Sequence, residues 1–210
     1  MIKVSIIIPM YNAEKFIVKA LNSIPIRDDI EVLCIDDCST DNTYKLVNEY
    51  IDTHKLNIKL FKNETNLKTG LTTNVGYDNA VGKWIIGFDD DDYLLTKSYN
   101  EAIDKLDNLD NYDLVFIANE VNDGSVWSGI DRTAIWSYFI KRDFLGDLRM
   151  AKWGSHPPDF LLTRHIIDDL NPKIYNTNIT AYHYNYPREG SVVWNFSRGL
   201  LDSNGNIKCK

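Results

Sequence analysis

In the first half of the chain, continuous runs of apolar residues alternate with segments in which apolar residues recur at helical spacing. Continuous runs rich in β-branched residues, typical of strands buried on both faces, predict strands at residues 4–8, 30–35, 58–61, 84–88 and 114–118. Apolar residues at helical spacing lie between these runs and predict helices at residues 13–24, 44–51, 70–81 and 98–106. Because strands and helices alternate, we expect an α/β fold with a mostly parallel sheet flanked by helices.

The second half of the chain is less regular. Residues 134–144 and 160–170 predict two amphipathic helices, the second ended by Asn171-Pro172. Asn204-Gly205 suits the tight turn of a β-hairpin. No repeat or obvious linker interrupts the chain, so we expect a single domain over residues 1–210.

Composition narrows the class of protein. An apolar fraction of 44% suffices for a packed core, and no apolar run approaches the roughly 18 residues of a transmembrane helix. The N-terminal run is too short for a signal peptide, and three cysteines form no disulfide framework, so we expect a cytoplasmic protein. The net charge of −7 argues against nonspecific binding to nucleic acid or anionic lipid, without excluding a local basic patch.

Polar residues collect where three predicted strands end. They form the segments 9–12, 36–39 and 89–92. The carboxyl ends of parallel strands meet at one edge of a sheet, and ligands bind there. Asp89 to Asp92 place four carboxylates in a row, and such crowding favours a hard cation, Mg²⁺ or Mn²⁺, shared with the phosphate oxygens of a ligand. A solvated acidic turn is the alternative interpretation of such a run.

Four segments carry a resemblance to a known family. They are the opening strand and loop at 4–12, the strand and acidic turn at 31–43, a glycine-punctuated helix at 66–82, and Asp89-Asp90-Asp91-Asp92 as a D-x-D-D motif. Together they resemble the family 2 glycosyltransferases, which are inverting enzymes with the GT-A fold. The resemblance implies a GT-A-like, Rossmann-type domain with a nucleotide-sugar-binding half at 1–118. Residues 119–210 would then form an acceptor-binding half and a C-terminal lid.

The resemblance also implies how a nucleotide-sugar donor is held. Tyr11 would stack on the base, and Asp37 would accept a hydrogen bond from an imide N–H such as that of uracil, so we expect a UDP-linked donor. Thr72-Thr73-Asn74 stands where many members have Ala-Arg-Asn, and Lys68 is the candidate replacement for that arginine. The other expected donor contacts are Pro9, Asn12, Asn66 and Asn74.

The acidic motif is expected to hold a divalent cation on the diphosphate. By resemblance, Asp91 is the direct metal ligand, and Asp89 supports the ribose or the metal. Asp92 would orient the sugar or the water shell of the metal. The cofactor is therefore expected to be Mn²⁺ or Mg²⁺.

The acceptor side of the resemblance is fainter. Asp159 stands at the position of the family's catalytic base, although Pro158 replaces the usual glutamate before it. A base must take the proton of the attacking hydroxyl, and His156 is the alternative candidate. His183 and Arg188 are expected to contact the diphosphate from the C-terminal lid. The implied reaction transfers a sugar, with inversion, to the hydroxyl of a glycan, a lipid-linked or another acceptor.

Three other functions compete with this interpretation. A noncatalytic sugar-nucleotide-binding protein would keep Tyr11, Asp37 and Asp91 without the base. A nucleotidyltransferase normally has a glycine-rich loop and a basic residue after the first strand, and residues 9–12 have neither. A phosphatase with an aspartyl nucleophile needs its acidic pair directly after the first strand, whereas here the acidic run follows a later one.

Overall fold

The computed structural model describes residues 1–128, 134–152 and 156–186. The strands are β1 (Val4–Met10), β2 (Ile30–Asp36), β3 (Ile58–Lys62), β4 (Trp84–Gly87), β5 (Tyr93–Leu94), β6 (Leu114–Val121), β7 (Val126–Trp127), β8 (Tyr138–Lys141) and β9 (Ile174–Tyr184). The helices are α1 (Ile17–Ser23), α2 (Thr43–Thr53), α3 (Lys68–Asn79), α4 (Thr96–Lys105), α5 (Arg142–Leu145) and α6 (Pro158–Asp169). No helix of these residues is both long and apolar enough to cross a membrane.

The described strands form one sheet in the order β3-β2-β1-β4-β8-β6-β9-β5, with β7 added to β6. Strands β3, β2, β1 and β4 pair in parallel, as do β6 and β9. The antiparallel members are β8, between β4 and β6, and the two-residue strands β5 and β7. The mostly parallel α/β sheet expected from the sequence is therefore confirmed.

Apolar side chains fill both faces of the central strands. Ile6 of β1 belongs to the core cluster that includes Ile17 of α1, and helices α2 and α4 pack in the same layer. Ile7, its neighbour, belongs to the opposite cluster with Tyr77 of α3 and Ile166 of α6. Because successive side chains of a strand point to opposite faces, burial on both sides explains the unbroken apolar run of β1.

The helix predicted at 134–144 is wrong. The structure instead has a short 3-10 helix at Ile135–Ser137, then β8 and the single turn of α5. Tyr138, Phe139 and Ile140 are each at most 3% exposed, because β8 is paired on both sides within the sheet. A short apolar run of this kind fits a buried strand or a buried helix equally well by periodicity alone.

A buried carboxylate joins the strands at the edge opposite the polar loops. Glu31 at the start of β2 accepts hydrogen bonds from Ser5 Oγ (2.6 Å), Lys59 Nζ (2.8 Å) and the Val81 N–H (2.8 Å). Burial alone would raise the pKa of Glu31, but these three donors stabilise the charged form and lower its pKa overall. The network therefore ties β1, β2, β3 and the loop before β4 together.

Candidate active site

Three loops meet at the carboxyl edge of the parallel strands. They follow β1, β2 and β4, which are neighbours in the sheet. The Tyr11 N–H donates to Asp90 Oδ2 (3.1 Å), which connects the first loop to the acidic turn. Asn12 Oδ1 accepts from the Thr40 N–H (2.8 Å), and the Asn12 N–H donates to Ser39 Oγ (3.0 Å). Asn12, at φ +53°, thus connects the first loop to the second.

Tyr11 has an accessible ring at this edge. The residue is 47% exposed while its backbone is held by Asp90, so the ring presents a face to solvent from a fixed position. Pro9 lies within β1, half-buried and opposite Ile35 of β2. The geometry is compatible with a planar base stacking on Tyr11, and the contact stays a prediction.

Asp37 is 3% exposed and organises the loop between β3 and α3. Its Oδ1 accepts from Asn63 Nδ2 (2.9 Å) and the Leu67 N–H (2.8 Å), and its Oδ2 accepts from the Lys68 N–H (2.8 Å). A carboxylate offers roughly four lone-pair sites, so three are already used here. Its predicted contact with an imide N–H would add a fourth partner to a side chain that also holds α3.

The other expected donor contacts around α3 have structural partners. Asn66 Oδ1 accepts from the Lys68 N–H (3.1 Å), and Lys68 itself has φ +70°. Asn74 Nδ2 donates to the Met150 carbonyl (2.9 Å), and Asn74 Oδ1 accepts from the Met150 N–H (2.8 Å). Asn74 therefore joins α3 to the segment around residue 150, and its role in donor binding stays a prediction.

Asp92 anchors the acidic turn from inside the protein. The residue is 2% exposed, and its Oδ2 accepts a hydrogen bond from the hydroxyl of Tyr182 (2.6 Å). Its Oδ1 accepts from the Asn185 N–H (2.8 Å). Burial, and then the charge of Asp91, raise the pKa of Asp92 to about 8 despite these two donors. Both oxygens of Asp92 therefore have partners within the protein.

Asp89 and Asp91 contribute the remaining negative charge expected to face a cation. Burial raises the pKa of Asp89 well above its usual range, and the charges of Asp92, Asp91, Asp159 and Asp90 raise it further. In the described part of the chain, no three His, Cys, Asp or Glu side chains are grouped to hold a metal alone. These carboxylates fit a hard cation. One or two of them would bind it, and water and phosphate oxygens would complete its coordination shell.

The predicted base lies at the start of α6. Asp159 is in its first turn, next to Pro158, and burial raises the pKa of the Asp159 carboxyl although the Phe160 N–H opposes this. The charge of Asp159 is one of several that raise the pKa of Asp89. Its neighbour Pro158 lies against Gly70 of α3. His156 is exposed just before the helix, with its ring stacked on Phe160 at 5.3 Å between centroids.

His183 lies opposite Tyr93, the residue that follows the acidic turn, and its expected contact with the diphosphate stays a prediction. Its Nδ1 lies 2.9 Å from Glu120 Oε1, its Nε2 lies 3.0 Å from Asn122 Oδ1, and its ring stacks on Tyr93. His183 follows Tyr182 in β9, so the two side chains point to opposite faces of the strand. Arg188, the other residue expected to contact the diphosphate, lies outside the described residues, as does Asn204-Gly205.

Sequence reasoning missed the aromatic residues that support the acidic turn. The ring of Tyr182 stacks on Trp136 (4.7 Å between centroids), and Tyr184 contacts the same indole (4.9 Å). Asn119 in β6 is opposite Tyr182 in β9 and Trp127 in β7, so these three side chains share a face. Asn119 is 1% exposed, and within the described residues neither of its amide atoms has a hydrogen-bond partner.

Comparison with known proteins identifies the family. The family described as glycosyl transferase family 2 matches residues 5–170, so the chain belongs to this family. The crystal structure of Staphylococcus aureus TarS 1–349 in complex with UDP-GlcNAc has a TM-score of 0.78 and 27% identity, covering 90% of this chain and 60% of that one. The predicted family and the GT-A-type fold are both confirmed.

Two curated relatives share only part of their length with this chain. Poly(ribitol-phosphate) beta-N-acetylglucosaminyltransferase TarS of S. aureus is 39% identical over 107 residues, which are 49% of this chain and 18% of TarS. GalNAc(5)-diNAcBac-PP-undecaprenol beta-1,3-glucosyltransferase of Campylobacter jejuni is 34% identical over 163 residues, which are 73% of this chain and 49% of that enzyme. The chain therefore spans half or less of these two relatives.

Proposed function

We propose that residues 1–210 form an inverting glycosyltransferase domain that moves a sugar from a UDP-linked donor to a hydroxyl acceptor. The observation that carries the proposal is the contact between the loop of the exposed Tyr11 and the acidic turn at one edge of the sheet. Asp159 is the third group in the proposal, and its charge contributes to the raised pKa of Asp89. A stacking surface, a cation site and a base are the three features that this transfer needs.

The donor side of the proposal rests on Tyr11 and Asp37. Tyr11 is 47% exposed, and donors from the described residues use three of the roughly four acceptor positions of Asp37, so an imide N–H would be its fourth donor. The complex of TarS with UDP-GlcNAc, at 27% identity, supports a UDP-sugar as donor. Asn12 and Asp90 keep the loop of Tyr11 in place beside the acidic turn.

Asp91 and Asp89 are the residues that would hold Mn²⁺ or Mg²⁺ with the diphosphate. Burial, and then the charges of Asp92, Asp91, Asp159 and Asp90, raise the pKa of Asp89, and this crowding of carboxylates supports a site for a divalent ion. Such an ion supplies Lewis acidity, which neutralises charge on a departing diphosphate. Asp92 does not belong to this ligand pair, because both of its oxygens are bound by Tyr182 and Asn185.

Asp159 is proposed to take the proton from the acceptor hydroxyl. Its raised pKa brings it closer to the operating pH than an exposed aspartate, which suits a general base. One base opposite the leaving group gives a single displacement and inversion, by analogy with inverting glycoside hydrolases. Asp159 is the second residue of α6, and Gly70 of α3 contacts Pro158, the first, so the carboxylate is positioned by a helix-helix contact.

The acceptor is proposed to be a glycan, a polyol phosphate polymer or a lipid-linked saccharide. The names of the two curated relatives support this range: one acts on poly(ribitol-phosphate), and the other on a saccharide attached to PP-undecaprenol. Each relative matches over only part of its length.

Thermal stabilisation by UDP, GDP and dTDP, with Mn²⁺ and with EDTA, tests the donor assignment. A ligand at about 100 times its dissociation constant adds about 2.7 kcal/mol of stability, which is readily measured. We expect the largest shift with UDP and Mn²⁺. Asp91→Asn should remove the part that depends on Mn²⁺, and Asp90→Asn is the matched control, because an asparagine Oδ1 still accepts from the Tyr11 N–H.

Equal stabilisation in Mn²⁺ and EDTA would contradict the metal assignment. A noncatalytic sugar-nucleotide-binding protein is the remaining alternative. It would show the same stabilisation by nucleotide. Unlike an enzyme, it would not transfer the sugar, and it would lack even slow hydrolysis of a UDP-sugar. Release of UDP from UDP-GlcNAc, measured without acceptor, therefore separates the two.

A further inference from the structure

We infer that Tyr182 is a positioning residue, which holds the acidic turn so that Asp89 and Asp91 face the diphosphate. The inference rests on the proposed function, since it concerns the same cation site. It adds a residue of β9, far from the turn in sequence, whose hydroxyl contacts Asp92 and the backbone of Asp89 and would act through the turn.

The hydroxyl of Tyr182 contacts both ends of the turn. It donates to Asp92 Oδ2 at 2.6 Å, and it accepts from the Asp89 N–H at 3.1 Å. One hydroxyl therefore uses its donor on the last carboxylate of the motif and its acceptor capacity on the backbone of the first. This arrangement fixes the separation of Asp89 from Asp92, and Asp91 lies between them in sequence.

The ring of Tyr182 is held independently of the turn. It is completely buried, stacked on Trp136 at 4.7 Å and 13° between planes, and in edge contact with Phe88 at 5.7 Å. Strand β9 is itself paired with β6 and β5 on either side of this residue. The position of the hydroxyl is thus set by packing in the sheet.

A second contact from the same strand end completes the support. The Asn185 N–H donates to Asp92 Oδ1 (2.8 Å), and Asn185 Nδ2 donates to the Asp91 carbonyl (3.3 Å). Consecutive carboxylates repel one another, and neutral donors directed at one of them stabilise a compact turn without adding charge. We conclude that Asp92 is the anchor of the motif and that Tyr182 is its principal support.

Tyr182→Phe tests the inference, because it removes the hydroxyl and keeps the ring contacts. Calorimetric titration of UDP, in Mn²⁺ and separately in EDTA, gives the part of the affinity that depends on the cation. We expect this part to fall by about 10- to 100-fold, as for leaving a buried polar group without its hydrogen-bond partner, while the affinity in EDTA stays unchanged. A general loss of structure would weaken both titrations, so the difference between them reports positioning.

Tyr99→Phe is the matched control. Tyr99 is also completely buried, and its hydroxyl has no hydrogen-bond partner in the described part of the chain. This variant should bind UDP like the wild type in both titrations. If Tyr182→Phe does not fold, Asp92→Asn tests the same contact from the other side, because its amide cannot accept both hydrogen bonds.

The outcomes separate the inference from the proposed function. If the wild type binds UDP equally in Mn²⁺ and EDTA, the cation site and the role of Tyr182 are both wrong. If the UDP affinity of the wild type depends on Mn²⁺ and that of Tyr182→Phe depends on it to the same extent, only the role of Tyr182 is overturned. A selective loss of the Mn²⁺-dependent part in Tyr182→Phe supports both.

Discussion

Gly70 of α3 is in direct contact with Pro158, the first residue of α6. A Cβ atom at Gly70 would lie 2.7 Å from the Pro158 Cβ and 2.9 Å from the Ala151 carbonyl oxygen, closer than van der Waals contact permits. Because Asp159 is the next residue, the absence of a side chain at Gly70 sets where the proposed base lies.

Gly70→Ala should therefore impair turnover more than donor binding. The added methyl must displace Pro158 or the backbone at Ala151, and a misplacement of about 1 Å at a reacting group costs about 100-fold in rate. We expect turnover of a UDP-sugar to fall by about 10- to 100-fold. Thr69→Ala, at an exposed position of the same helical turn, is the control. Unchanged turnover in Gly70→Ala would show that this contact does not position the base.

Asp37→Ala should change nucleotide preference. If Asp37 accepts from an imide N–H, the wild type binds UDP more tightly than CDP, which lacks that donor. The substitution should weaken the binding of UDP by about 1.5–3 kcal/mol and weaken the binding of CDP less. Because Asp37 also holds the Leu67 and Lys68 amides, the ratio of UDP to CDP affinity is the informative quantity. An unaltered ratio would mean that Asp37 is only structural.

Asn119→Leu should stabilise the protein without ligand. Its buried amide lacks hydrogen-bond partners among the described residues, and such a group costs about 1–3 kcal/mol. Leucine has the same branched heavy-atom skeleton and is apolar, so urea unfolding should show a gain of about 1 kcal/mol or more. Asn63→Leu, whose amide donates to Asp37 and Thr72, should instead destabilise. A loss of stability in Asn119→Leu would mean that the amide has a partner.

Glu31 should contribute to stability in a pH-dependent way. Its pKa is lowered in the folded protein, so its contribution is present above the unfolded carboxyl value of about 4.3 and is lost as the pH falls through the folded-state pKa. Glu31→Gln should lower stability at pH 7 by about 1–3 kcal/mol and flatten the acid limb below about pH 4.3. Glu49→Gln, at an exposed helix position, is the control. An equally steep acid limb in Glu31→Gln and wild type would contradict this role.

The parts of the fold that were predictable depend on local pattern. Strands β1, β2, β3, β4 and β6 and the helices of the first half have apolar runs long enough to show their period. The polar loops after β1, β2 and β4 follow from the parallel sheet, because its carboxyl ends coincide. The acidic turn and the loop of Tyr11 were therefore placed together from the sequence alone.

The features of the fold and of the site that the sequence did not predict depend on contacts between residues far apart in the chain. The predicted helix at 134–144 failed because pairing with β4 and β6 converts its apolar run into β8. Tyr182 and Asp92 are 90 residues apart, and no strand was predicted where β9 lies, so the support of the acidic turn was not visible. The face of β9 on which His183 lies also follows only from the register with β5.

Turnover of a UDP-sugar by Asp159→Asn tests the central claim most directly. Asparagine keeps the shape of the side chain but cannot accept the proton, so turnover should fall by about 10²- to 10⁴-fold while UDP affinity stays nearly unchanged. The wild type should also show an acid limb in its pH–rate profile that the variant lacks. Full activity in Asp159→Asn, with activity lost in His156→Ala, would contradict the account and assign the base to His156.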